Sequence, residues 1–115
     1  MIKSYSDLEV YIPSQKLYPE VVVFTRTLPS DARHLKDQLC RSANSIHTNI
    51  AEVYGRSVAE FKMYLTRFLG SCNETRSHIT DSVNAKFGEP EVAKLLLDEY
   101  EIVSKQLYRL REHWK

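Results

Sequence analysis

Glycine is scarce in this 115-residue chain: there are three, beside four prolines, two cysteines and one tryptophan. With so few glycines there is no phosphate-cradling loop, and neither Gly-x-Ser-x-Gly nor a P-loop run occurs. Cys40 and Cys72 form no Cys-x-x-Cys pair, so buried, reduced thiols are expected rather than a disulfide framework or a metal knuckle. No apolar run approaches the roughly 20 residues of a membrane span. The opening MIKSYSDLEVY lacks the apolar core of a secretion signal, and a cytoplasmic protein with no membrane partner is expected. Charge of one sign is missing too: 16 Lys and Arg stand against 15 Asp and Glu, a net +1. That balance gives no long-range pull towards nucleic acid or acidic lipid, so any such contact has to come from a local patch.

What the chain does have is helical periodicity. Within QLCRSANSIHTNIAEVYGR, residues 38 to 56, Leu39, Ala43, Ile46, Ile50 and Val53 step by four and three, one apolar stripe of a helix. Three more seams keep that step: Val10, Ser14, Leu17, Val21, Phe24 and Leu28; Phe61, Leu65, Phe68, Cys72, Thr75, Ile79 and Ser82; and Val92, Leu96, Tyr100, Val103, Leu107, Leu110 and Trp114. The only β-branched run, EVVVF at 20–24, has no partner strand.

Stop and start signals fall between the seams. Ser6 and Glu9 read as a capping box, as do Ser57 and Glu60. Ser30 and Asp31 offer caps for a second helix after Pro29. Gly55 and Gly88 are helix stops, and Pro90 sits at a first helical position between two acids. The expected helices cover about 7–28, 31–54, 58–86 and 90–114. Short connections make consecutive helices antiparallel. The expected fold is all-α: an antiparallel up-down-up-down four-helix bundle, one domain over 1–115. Pro13 and Pro19 interrupt the first helix, each costing about 3 kcal/mol in a regular one. It therefore bends or starts later than Ser6, and the unbroken apolar step favours a bend.

Metal and nucleophile chemistry find little support. A di-metal bundle needs Glu-x-x-His on two helices. The nearest match is Asp31-Ala32-Arg33-His34, a single copy, and Glu74 with His78 is spaced for an ion pair. His34, His47, His78 and His113 lie on four different stretches. Nothing places a His and an acid beside Cys40. No metal, no cofactor and no enzymatic activity are expected.

Basic residues gather twice. Lys105, Arg109, Arg111 and Lys115 crowd the end of the chain, where the helix dipole favours cations in any case. Arg33, Lys36 and Arg41 begin the second helix, where cations oppose the dipole, so helix stability alone explains them less well. A polar stripe also runs beside two of the seams: Ser42, Ser45, Asn49, Glu52 and Arg56 on the second helix, and Glu60, Tyr64, Arg67, Ser71, Glu74 and His78 on the third. These flanks are either solvated or form a partly buried network that fixes helix pairing or a subunit contact. The second reading is preferred.

Together these residues carry a family resemblance. Gln38-Leu39, Arg41, Ala43, Ser45-Ile46, Asn49-Ile50-Ala51-Glu52, Gly55-Arg56, then Glu60-Phe61, then Leu69-Gly70-Ser71 and Glu74, resemble the small bacterial four-helix bundle proteins of 23S rRNA intervening sequences. That family includes accessory variability proteins of diversity-generating retroelements. Asp7-Leu8 and Val10 match its opening, whereas Val53 stands where the family usually has Gly, and YIPSQKL replaces a Trp-Gln-Lys-Ala type helix. The resemblance implies a non-enzymatic homo-oligomer, a ring-like pentamer with basic surface; the retroelement members bind nucleic acid and reverse transcriptase, which makes RNA or DNA the expected ligand here and a reverse transcriptase a candidate partner. The expected nucleic-acid contacts are Arg33, Lys36, Arg41, Arg56, Arg67, Arg109 and Arg111. The expected polar network is Ser45, Asn49, Glu52, Arg56, Glu60, Ser71 and Glu74. The competing expectation is a structural or protein-interaction module, such as an accessory subunit of a reverse transcriptase, that touches no nucleic acid.

Overall fold

Four α-helices form where the apolar step runs: α1 (Tyr11–Thr25), α2 (Arg33–Val53), α3 (Val58–Asn84) and α4 (Pro90–His113), after a 3-10 turn at Tyr5–Asp7. The computed structural model describes all residues, Met1–Lys115. Each helix packs on its neighbour in sequence, α1 also packs on α4, and no backbone contact links the diagonal pairs. The body measures 44 × 22 × 18 Å. A helix as long as α3 spans about 40 Å, so the helices lie along the long axis and the short connections turn them antiparallel. The fold is an up-down-up-down four-helix bundle with no strand.

Every seam residue of the first three helices is buried, including Val10 and Leu28, which flank α1 rather than belong to it. Leu8, Tyr11, Ala32 and Ala93 complete the core. On α4 the seam enters at Ala93, which is fully buried, and not at Val92, which faces out. Leu110 and Trp114 are half-buried at its far end.

Several helix ends differ from expectation, each for a local reason. The first helix starts later than Ser6. Asp7 accepts the Lys3 and Ser4 amides at 2.8 and 3.1 Å, which closes a separate turn and holds its carboxyl below the usual carboxylate range. Glu9 is no capping partner for Ser6, because Arg109 of α4 binds its carboxylate at 2.9 Å. Pro13 then falls at the third residue of α1, where its missing amide is one of the free ones anyway. Pro19 stays inside α1, on its solvent side, and the lost bond falls there. Neither Ser30 nor Asp31 caps α2; Ala32 stands at the cap position. Ser57 does cap α3, its hydroxyl accepting the Glu60 amide at 3.2 Å. Gly55 takes the positive φ that ends α2.

At the end of α3 the left-handed residue is Lys86 (φ 60°), with the Lys86 amide bonded to Val83 and the Phe87 amide to Ser82. Gly88 serves a different need. It too has a positive φ (71°), and a Cβ there would press on the Phe24 and Thr27 side chains at 3.0 Å, so another residue at this point of the α3–α4 loop is strained against the end of α1.

Candidate nucleic-acid interface

The polar flank of α2 lies against α3, where Ser42 of that flank meets the seam residue Thr75. At mid-bundle the Thr75 hydroxyl lies 2.8 Å from Ser42 Oγ, a buried bond between the two helices. Ser45 donates to the Ser42 carbonyl at 2.7 Å. Asn49 and Ser71 are half-buried and Glu52 is exposed; none of the three side chains finds a hydrogen bond within the chain. Glu74 stands 3.6 Å from His78 one turn on.

At the end where α2 stops and α3 begins, the groove turns basic and aromatic. The Arg56 and Arg67 guanidinium carbons lie 5.2 and 4.9 Å from the Tyr64 ring centroid, cation–π distances that draw two arginines together. Arg56 also reaches the Tyr64 hydroxyl at 3.3 Å and Glu60 at 3.8 Å. That ion pair is exposed and contributes little. From α4, Arg111 donates to the Thr66 hydroxyl at 3.3 Å, next to Arg67 in sequence, and its guanidinium lies 5.0 Å from the Tyr108 centroid. Behind these residues, Phe61 and Trp114 pack with ring centroids 4.9 Å apart, and Tyr54 contacts both. This aromatic base fixes where α3 starts and α4 ends.

So the structure brings Arg56 and Arg67 together on Tyr64, with Arg111 at the same end of the bundle on the α4-facing side of α3 at Thr66, and separates the rest. Arg109 points to the α1–α4 side and is held by Glu9. Arg33, Lys36 and Arg41 begin α2 and therefore sit towards the opposite end of the bundle, in no ion pair. Three groups at the basic end were missed as site residues in the sequence: Tyr64 as the plate between two arginines, Tyr108 beside Arg111, and Thr66 as its tether. The i,i+3 spacing of Tyr64 and Arg67 is a usable signal, and so is Tyr108 with Arg111. Thr66 with Arg111 has none.

The family model described as 23S rRNA-intervening sequence protein matches residues 6–109. The chain belongs to that family. The match runs from the N-terminal turn nearly to the end of α4, and so takes in the whole bundle and every arginine at the basic end except Arg111. No curated protein matches the chain. Burial pushes the Cys72 thiol up to about 12, with Arg76 pulling weakly the other way, and the thiol donates to the Tyr100 carbonyl at 3.2 Å. It is protonated at neutral pH and is no nucleophile. Cys40 and Cys72 are not joined. No helix is long and apolar enough to cross a membrane.

Proposed function

We propose that this family member is a non-catalytic nucleic-acid-binding accessory protein, and that Arg56, Arg67 and Arg111 contact phosphates. The observation that carries this reading is the Arg56–Tyr64–Arg67 stack, with Arg111 held by Thr66 at the same end of the bundle. Guanidinium groups held by aromatic faces are pre-positioned donors, and forked donors suit phosphate. Arg33, Lys36 and Arg41 are free of ion pairs and give a second, weaker contact at the other end. Self-association belongs to the same proposal. Copies in a ring repeat the patch and raise affinity through multivalency. Asn49, Glu52 and Ser71, without partners inside the chain, are groups available to such a contact.

Titration with a structured RNA at two salt concentrations tests it. Binding is expected to weaken steeply with salt, and each of Arg56→Ala, Arg67→Ala and Arg111→Ala to lower the salt slope by about 1. No binding at low salt overturns the proposal and leaves a protein-interaction module, for which a reverse transcriptase is the first partner to try.

A further inference from the structure

A groove of about 770 Å³ opens between α1 and α4. Ile12 and Val23 of α1 and Val92 and Leu95 of α4 form its walls, and Leu17 and Leu96 its floor. Leu95 is 64% exposed and Val23 56%, and Ile102 continues the α4 stripe at 50%. Apolar groups left in water along a cleft are the signature of a surface that something else covers. Its polar groups are one-sided. Glu20 and Glu99 line it with a single cation, Lys16. Pro13 and Pro19 also line it. The groove therefore presents two carboxylates beside leucine and valine. Its length, from Ile12 to Val23, is about 17 Å, or three helical turns.

We propose that the α1–α4 groove binds a basic amphipathic helix of a partner protein. The apolar stripe of that helix lies on Leu95, Val23 and the groove floor, and its Arg or Lys side chains meet Glu20 and Glu99. A second copy of this chain, groove to groove, is the poorer occupant. It sets four carboxylates against two lysines, and like charges brought together disfavour the pairing. The proposal stands apart from the nucleic-acid reading, whose arginines lie on the α3 side.

The test uses three labelled 18-residue peptides and fluorescence anisotropy on the full chain. One peptide carries leucine at helical spacing with lysine elsewhere; one replaces its lysines by glutamate; one keeps the lysines and scrambles the leucines. The first is expected to bind saturably, and the other two at least tenfold more weakly. Leu95→Asp is expected to cost the first peptide at least tenfold, and Val23→Asp likewise. Both positions face solvent, and far-ultraviolet circular dichroism is expected to show native helix in each variant. Glu20→Lys with Glu99→Lys is expected to reverse the preference towards the glutamate peptide. Absence of binding by the wild type, equal binding of the lysine and glutamate peptides, or wild-type affinity in Leu95→Asp overturns the proposal. So does a fall in solution mass on Leu95→Asp, since a second copy then occupies the groove.

Discussion

The same helical position, one residue before each seam residue, lines the outer side of two opposite helix pairs, and the outcomes differ. Between α2 and α3 it carries Ser42, Ser45 and Asn49 on one helix and Tyr64, Arg67 and Ser71 on the other. Small hydroxyl residues let the helices bond directly at Ser42–Thr75, and the arginines stack on Tyr64. Between α1 and α4 it carries Pro13, Lys16, Glu20 and Val23 facing Val92, Leu95, Glu99 and Ile102. Those side chains neither bond across nor close the gap, and a groove remains. Only where the stripe returns to polar residues, at Glu9 with Gln106 and Arg109, does this second pair latch. What lies beside the seam therefore decides whether a helix pair is finished within the chain or left open.

The sharpest way to break this comparison is truncation on each side. Phe61→Ala removes a ring that is 1% exposed and packed on Trp114. The expected loss is about 3–5 kcal/mol of unfolding free energy in urea. Leu95→Ala, across the molecule, is expected to stay within about 0.5 kcal/mol of wild type. Equal losses would mean that the α1–α4 pair is as closed as the α2–α3 pair.

Pro19→Ala comes next and runs the other way. The alanine amide can bond the Gln15 carbonyl, so stability should rise by about 1–3 kcal/mol, reduced by the greater freedom of the unfolded chain. A thermal melt at or below wild type would show that α1 already accommodates the proline without loss.

How much of this was legible in the sequence depends on whether the deciding contact is local. The four seams were readable because burial follows a fixed angular step, and even Cys72, Thr75 and Ser82, unremarkable as core residues, were placed by it. The Val92 assignment failed because Val92 and Ala93 both fit the step to Leu96, and only the packed bundle chooses the smaller one. The start of α1 was misplaced because Glu9 is claimed by Arg109, 100 residues away. Of the seven proposed basic contacts, the spacing of Tyr64 and Arg67 hints at one pairing, but nothing local shows that Arg56 joins it or that Arg109 is tied to Glu9. The open groove was hidden for the same reason: its two walls are the first and last helices.

A smaller test concerns the bond that closes the α2–α3 pair. Thr75→Val and Ser42→Ala are each expected to cost about 1 kcal/mol, and the double variant less than the sum, because one shared hydrogen bond is lost in all three. Strict additivity would mean that the two hydroxyls are satisfied separately, Ser42 by the Leu39 carbonyl at 3.2 Å and Thr75 by the Ser71 carbonyl at 2.9 Å.

The least effect is expected on the other flank of α2, where His47 faces α1 between Tyr11 and Tyr18, with ring centroids 6.4 and 5.9 Å away. Unlike Ser42, it has no compensation: its Nδ1 is buried without a partner, and burial pulls the imidazole below its ordinary value of 6.5. The folded state thus prefers neutral His47, and the unfolded chain binds the extra proton first. The contribution is fully present above pH 6.5 and is lost as pH falls through the folded value, so unfolding midpoints should drop modestly across that window. In His47→Gln the slope over that window should flatten. If it persists unchanged, another group carries it, and the contrast between a satisfied and an unsatisfied flank on the same helix does not extend to α1.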